Sequence, residues 1–108
     1  MIVELRVYHC APGRLPALLE RFSGATLGFF DKHGIRPIGF WTTLIGSSNH
    51  ALTYMLQWDS LAEREQKWNA FQADPEWLAR RKASEAAQPI VERIESSFLT
   101  PTAFSALR

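Results

Sequence analysis

The middle of the chain places two strand-forming segments directly before a helix start, and this order constrains the fold most. Residues 36–45 are rich in aromatic, Ile and Thr residues, which favour strands. Residues 50–58 alternate in polarity, and a Gly-Ser-Ser-Asn turn at 46–49 separates the two segments. Because the link is short, we expect the segments to pair as an antiparallel hairpin. Ser60 and Glu63 then have the spacing of a capping box, which predicts that a helix begins here.

The first third of the chain predicts a strand followed by a helix. Apolar and polar side chains alternate over residues 2–10, which is the period of a strand with two different faces. After a Pro-Gly pair, apolar residues from Arg14 onward recur at the i, i+3, i+4 and i+7 spacing of an amphipathic helix. Gly24 and Gly28 weaken this helix by about 1 kcal/mol each relative to Ala. We therefore expect a kink or close packing at these glycines.

The last third predicts a second helical segment and a fourth strand. Asp74 and Pro75 are typical of a helix restart, and residues 90–99 are predicted to form the strand. Residues 100–108 contain Pro101 and polar side chains, which argue against further regular structure. The resulting βαββαβ order predicts one α+β, ferredoxin-like domain over residues 1–108. Its four-stranded antiparallel sheet should carry both helices on one face, with strands one and three in the centre.

The predicted sheet has one face without helices. In strand one we expect this face to carry Glu4, Arg6 and Tyr8, because the other parity of the strand is apolar. A chain of 108 residues buries a limited fraction of its surface, on the order of 65%. Stacking a second copy of the sheet on the bare face would cover it. The sequence therefore predicts a homodimer.

Composition excludes several classes of function. Lys and Arg total 12 and Asp and Glu total 11, and this net charge of +1 predicts no nucleic-acid partner. The basic run at residues 80–82 fits a solvated helix face. Cys10 is the only cysteine, and no Cys/His cluster has the spacing of a metal site, so we predict no metal and no cofactor. The N-terminus lacks a secretory signal and no apolar run approaches the roughly 20 residues of a membrane span, which predicts a cytoplasmic protein.

The sequence resembles the NIPSNAP family over nearly its whole length. The resemblance rests on an ordered set of motifs: Glu4-Leu5-Arg6-Val7-Tyr8, Pro12-Gly13-Arg14-Leu15-Pro16, Gly39-Phe40-Trp41-Thr42-Thr43 with Ile45-Gly46 and Asn49, Trp58, Ser60-Leu61-Ala62-Glu63-Arg64, Asp74-Pro75-Glu76-Trp77 and Thr100-Pro101-Thr102-Ala103-Phe104-Ser105. It implies a dimeric α+β barrel, in which two ferredoxin-like sheets close around a shared interior. It implies no particular activity, since members are described mainly in terms of protein association and vesicular or mitochondrial roles.

Glu4, Arg6 and Tyr8 form the main candidate site. Their shared strand face would point into the barrel, where Arg6 could clamp an anion and Tyr8 could donate a hydrogen bond. The alternative is a buried ion-pair network, of Arg6 with Glu4 or Glu95, that fixes the dimer. A charge on this face must be paired or hydrated, because burying it alone is costly.

The strand-turn-strand region supplies three further candidates for the pocket. Trp41 fits a pocket wall or packing in the core or the dimer, and which parity of its strand faces the interior stays open. Thr43 lies in the same segment, and His50 is the histidine best placed for chemistry at a pocket edge. Structural roles fit the other reactive side chains and the helical aromatics better: His9, His33, Cys10, Trp68, Phe71 and Trp77.

Two functions are compatible with these residues. The first is a homodimer that binds a small hydrophobic ligand or associates with proteins through the barrel. The second is a small cofactor-free, monooxygenase-like enzyme that acts on a hydrophobic or aromatic molecule through Arg6, Tyr8, Trp41 and His50. An enclosed cavity of about 300 Å³ or more, with those four side chains converging on it, would favour the enzyme.

Overall fold

The computed structural model describes residues 1–108 and confirms the predicted order of elements. The strands are β1 (Ile2–Cys10), β2 (Arg36–Thr42), β3 (Ala51–Trp58) and β4 (Val91–Leu99). The helices are α1 (Leu15–Arg21), α2 (Leu27–Lys32), α3 (Leu61–Gln72) and α4 (Pro75–Ser84). Strand β2 ends at Thr42, three residues before the predicted end, and residues 100–108 contain no helix or strand, as predicted. Every helix falls short of the length or the apolar character that crossing a bilayer requires.

The four strands form one antiparallel sheet in the order β2-β3-β1-β4. Strands β1 and β3 are central, as the right-handed crossovers predict. In this register Arg6 lies opposite Tyr54 of β3 on one side and Ser96 of β4 on the other. The pairing of β1 with β4 shifts between His9 and Cys10, where the ladder is irregular. The register decides which side chains share a face, and it therefore positions the candidate site.

A π-helical turn, Phe22–Thr26, joins α1 to α2 where the sequence predicts a kink. The amide of Leu27 bonds the carbonyl of Phe22, which is the i to i+5 pattern of a π turn. Phe22 and Phe30 are eight positions apart, so a regular helix would turn them about 80° away from each other. The wider turn absorbs one residue, and the two rings pack with their centres 6.2 Å apart. The irregularity thus allows both rings to face the sheet.

The second pair of helices begins at the predicted caps. The Ser60 hydroxyl accepts from the Glu63 amide at 3.1 Å, and the Glu63 carboxylate accepts from the Asp59 amide at 2.8 Å. The Asp74 carboxylate accepts from the Glu76 amide at 2.9 Å at the start of α4. These caps fix the start of each helix. Between them, α3 and α4 contribute three buried aromatic rings to the core: Trp68, Phe71 and Trp77.

The hydrophobic core lies between the sheet and the helices, and the other sheet face carries no helix. Fourteen buried residues form one cluster on the covered side. On the uncovered side the central strand β1 presents Val3, Leu5 and Val7, next to Met55 of β3. This apolar row is the parity that we expected to face the core, so the predicted assignment of the two faces of β1 is wrong.

Candidate functional site

Glu4, Arg6 and Tyr8 lie on the helix-covered face of β1, which is a correction to the prediction that they face the open side. Glu4 has no exposed surface, and Arg6 and Tyr8 are 6% and 9% exposed. All three residues line up with the buried parity of β3, where Leu56, Tyr54 and Leu52 are their opposite partners. A face with charged side chains can be buried only where the charges satisfy one another. The contacts of these three residues show that they do.

The Glu4 carboxylate is the centre of this buried polar network. It accepts from the Arg6 guanidinium at 2.9 Å and from two nitrogens of Arg64 at 3.2 Å each. The Trp58 indole and the Ser96 hydroxyl donate to it at 3.1 and 3.0 Å. Burial tends to raise the pKa of Glu4, but the bonds from Arg64 and Arg6 outweigh it and hold the pKa below its usual value. Of the two alternative partners of Arg6, Glu4 is therefore the one that it contacts.

Arg6 also orients two tyrosines. Its Nε donates to the Tyr54 hydroxyl at 2.8 Å, and its NH2 group donates to the Tyr8 hydroxyl at 3.2 Å. The Tyr54 hydroxyl in turn donates to Tyr8 at 2.9 Å. The guanidinium lies over the Trp68 ring, 4.5 Å from its centre. The Arg6 side chain is therefore held in one orientation by Glu4, the two tyrosines and Trp68. The other alternative partner, Glu95, contacts His9 and Arg93 on the uncovered face.

A cavity of about 320 Å³ opens beside this network, between the sheet and the helices. Strand β1 contributes Arg6 and Tyr8, and the helices contribute a wall of buried side chains: Arg21, Phe22, Thr26, Phe30, Phe71 and Trp77. Exposed residues from α4 and β4 surround its outer part: Arg81, Glu92, Arg93 and Ile94. Apolar side chains, most of them aromatic, and polar or charged side chains contribute about equally to the lining, and a small molecule with an apolar body and a polar group suits such a site.

The π-helical turn shapes one wall of the cavity. It places Phe22 and Thr26 on the same side as Arg21, and all three side chains are buried there. The Arg21 guanidinium contacts the Ser84 hydroxyl at 3.3 Å and the Glu85 carboxylate at 3.5 Å, so α1 is tied to the end of α4. π turns recur at functional sites because they displace side chains that a regular helix would align differently.

The structure does not bring Trp41, Thr43 and His50 to this cavity. Trp41 is paired with Thr53 on the uncovered sheet face and is 49% exposed. Thr43 lies just beyond the end of β2, and His50 precedes β3. The convergence of Trp41 and His50 with Arg6 and Tyr8 that would favour an enzyme is not found at this cavity, because the two groups lie on different faces or beyond the ends of the strands. Their role in binding a ligand stays a prediction.

The other reactive side chains have structural surroundings. His33 and Lys32 contact the Asp74 carboxylate at 2.7 and 2.8 Å. His9 contacts Glu95, and the Cys10 thiol is buried, with its pKa raised by that burial. No group of three or more His, Cys, Asp or Glu side chains is arranged to hold a metal ion.

Sequence reasoning missed the helical part of the site. Arg21 could have indicated it. This residue lies three positions after Leu18, so it places a charge within the apolar stripe of the first helix. The predicted core role of Trp77 is correct, but its ring also borders the cavity. Arg81 belongs to the basic run that we assigned to a solvated helix face. It borders the cavity because α4 packs near β4, which the sequence alone does not show.

Comparison with known proteins supports the family resemblance. The NIPSNAP family model matches residues 3–106. A crystal structure of an uncharacterized NIPSNAP domain protein from Burkholderia xenovorans is 30% identical, with a TM-score of 0.84 over 97% of this chain and 98% of that one. A NIPSNAP family protein from Agrobacterium tumefaciens is 26% identical, with a TM-score of 0.88 over 99% of this chain and 98% of that one. No curated protein is significantly similar to the chain.

A more distant likeness concerns the fold alone. A candidate antibiotic biosynthesis monooxygenase from Nitrosomonas europaea is 9% identical and has a TM-score of 0.63, over 94% of this chain and 98% of that one. Such a likeness shows a shared ferredoxin-like architecture and carries no chemistry with it. The family match, in contrast, covers nearly every residue and agrees with a 30% identical relative over almost its full length. The chain therefore belongs to the NIPSNAP family.

Proposed function

We propose that the protein binds a small aromatic or apolar molecule in the cavity between the sheet and the helices. The observation that carries this proposal is the cavity itself, about 320 Å³ in volume, with buried aromatic rings beside the fixed polar groups of Arg6 and Tyr8. This volume accommodates a bicyclic ring system, and it lies at the lower end of the range for small-molecule sites, about 300–1,000 Å³.

Titration with 2-naphthoate and its neutral analogue 2-naphthamide, followed by saturation-transfer NMR and tryptophan fluorescence, tests the proposal. Ile94 is half-exposed at the outer part of the cavity, so I94W should obstruct entry without disturbing the core. I45W is the matched control, because Ile45 is 94% exposed in the β2–β3 loop and does not border the cavity. We expect I94W to weaken binding at least about tenfold and I45W to leave it unchanged. Absence of binding of both probes at about 1 mM would refute the proposal.

We further infer that the protein functions as a homodimer through its uncovered sheet face. Leu5 and Val7 on the central strand and Met55 beside them are partly exposed there, and Trp41 of β2 is 49% exposed on the same face, whereas Val3 is already buried in the single chain. An apolar sheet face of this kind is a typical interaction surface. Stacking a second copy on it would give the barrel that the family resemblance implies. The cytoplasmic location stays a prediction.

The monooxygenase-like alternative is not favoured by any particular observation. It requires Arg6, Tyr8, Trp41 and His50 around one cavity, and only Arg6 and Tyr8 border it. The cavity size alone does not distinguish an enzyme from a binding protein, because both need to enclose a ligand. We therefore propose ligand binding and assign no reaction.

A further inference from the structure

One hydroxyl proton at the cavity wall has no acceptor in the protein. The Tyr8 oxygen accepts from Tyr54 at 2.9 Å and from Arg6 at 3.2 Å. Tyr54 has no exposed surface and does not border the cavity, and burial raises its pKa well above the usual value. The Tyr54 oxygen accepts from the Arg6 Nε at 2.8 Å, and the Tyr54 O–H group donates its hydrogen bond to the Tyr8 oxygen. The remaining free O–H is that of Tyr8, the hydroxyl that borders the cavity.

The side chains around this hydroxyl are rich in donors and poor in acceptors. Glu4 is shared between the guanidiniums of Arg6 and Arg64, so two positive charges meet one carboxylate. On the opposite wall, the Nε of Arg21 and the indole nitrogen of Trp77 are buried without a hydrogen-bond partner. A buried donor without an acceptor costs about 1–3 kcal/mol. The chain itself thus supplies too few acceptors to this part of the core.

The charges that border the cavity add to this excess. Four arginines and two glutamates contribute to its lining, but the Arg93 guanidinium is paired on the other side of the sheet, which leaves three arginine charges against two glutamates. Glu85 is already paired with Arg21 at 3.5 Å, and Glu92 is exposed at the outer part. Arg93 is paired outside the cavity with Glu95, whereas Arg81 has no ion pair. Glu4 does not line the cavity, and its two oxygens already accept from four side chains.

We propose that the occupant is an aromatic carboxylate, whose anionic oxygens accept from the Tyr8 hydroxyl and the Arg6 guanidinium while its ring packs against the aromatic wall. This inference rests on the proposed function and names its ligand class. Hydrogen bonds between charged partners are roughly twice as strong as neutral ones, and a buried site is little screened by salt. A neutral aromatic molecule of the same shape would fill the cavity but would form only neutral hydrogen bonds there, so it should bind more weakly.

The same probe pair tests the inference. We expect wild-type protein to bind 2-naphthoate at least about tenfold more tightly than 2-naphthamide. Y8F removes only the hydroxyl and should abolish most of this preference. Y54F loses the Tyr54–Tyr8 hydrogen bond and the acceptor of the Arg6 Nε but keeps the cavity hydroxyl, so it should bind both probes more weakly yet retain most of the preference for the acid. Melting temperatures of both variants verify that they are folded.

Each outcome separates the two proposals. Equal affinity for the acid and the amide would overturn the carboxylate inference and leave the proposed binding function standing. Absence of binding of both probes would overturn the binding function itself. A preference for 2-naphthoate that survives in Y8F and falls steeply with added NaCl would overturn the placement at Arg6 and Tyr8. In that case the anion is held by the exposed arginines at the outer part, where R81Q would weaken binding and R80Q, one position away on α4, would not.

Discussion

At the scale of single residues, Glu4 decides whether the buried polar network holds together. It has no exposed surface and accepts hydrogen bonds from four side chains, two of them arginines. The substitution E4Q keeps the shape but removes the charge and turns an N–H group toward donors. Because Arg6 would remain buried without its counter-charge, we expect a loss of about 3–5 kcal/mol in the free energy of unfolding. Urea denaturation followed by tryptophan fluorescence measures it.

A matched exposed carboxylate provides the control for E4Q. Glu65 lies on the outer side of α3 and takes part in no ion pair, so E65Q should change the free energy of unfolding by less than about 0.5 kcal/mol. If E4Q were as stable as E65Q, the network around Glu4 would contribute nothing net to folding, and its role would lie in positioning Arg6 alone.

The candidate site was only partly predictable at this scale. Alternation in β1 identified Glu4, Arg6 and Tyr8 as a set, and it left Glu4 and Glu95 as alternative partners of Arg6. Their sheet face did not follow, because the polarity rule assigns charged side chains to solvent unless specific partners satisfy them. Those partners come from distant elements, Trp58 at the end of β3 and Arg64 in α3. A short-range pattern cannot show that such groups will meet.

At the scale of elements, the fold was predictable because each boundary is encoded locally. Ser60 and Asp74 cap their helices through side-chain bonds to amides two or three residues ahead, and such bonds depend on adjacent sequence alone. From Gly24 and Gly28 the sequence also predicted a kink or close packing in the first helix, and the structure has an irregular turn there. Its physical cause is different, because a π turn absorbs one residue between Phe22 and Phe30.

This explanation of the π turn predicts the effect of a deletion. Removing Ser23, which is exposed, leaves Phe22 and Phe30 seven positions apart, so a regular helix now places both on one face. We expect the variant to fold, with the helical circular dichroism signal retained. Deletion of Glu65 from the regular helix α3 is the control. It turns Trp68 and Phe71 by about 100° relative to the preceding residues of the helix. We expect it to lower the free energy of unfolding by about 3 kcal/mol or more. Equal stability of the two deletions would contradict the explanation.

The start of α4 predicts a dependence of stability on pH. Bonds from Lys32 and His33 hold the pKa of Asp74 far below its ordinary value of 3.8. A carboxylate with a lowered folded-state pKa stabilises fully above its ordinary pKa, and this contribution is lost as the pH falls toward the folded value. D74N should therefore be less stable than wild type at pH 6, and the difference should shrink below about pH 4. Urea denaturation at several pH values measures both.

The control for this experiment is Asp31, an exposed carboxylate at the end of α2 that takes part in no ion pair. D31N should leave the free energy of unfolding close to the wild-type value across the same pH range. A difference between wild type and D74N that stays constant from pH 6 to pH 2 would show that the cap, and not the charge of Asp74, accounts for the loss.

At the scale of the whole molecule, the proposed ligand site and the proposed dimer interface lie on opposite faces of one sheet. The parity of β1 separates them, because Arg6 and Tyr8 point toward the helices while Leu5 and Val7 lie on the uncovered side. Each chain then carries a complete cavity of its own, and a dimer holds two. We therefore expect ligand binding in the cavity to be independent of dimer formation.

The substitution L5K tests this separation. Leu5 is central on the uncovered face, opposite Met55 and Ser97, so a lysine there places a charge against its own copy in the dimer. We expect sedimentation velocity to show a dimer for wild type and a monomer for L5K, with one 2-naphthoate bound per chain in both. L61K, at an exposed position on α3, should remain dimeric. A monomeric L5K that is folded but no longer binds the probe would show that the cavity depends on the partner chain, and the two faces would then form one functional unit.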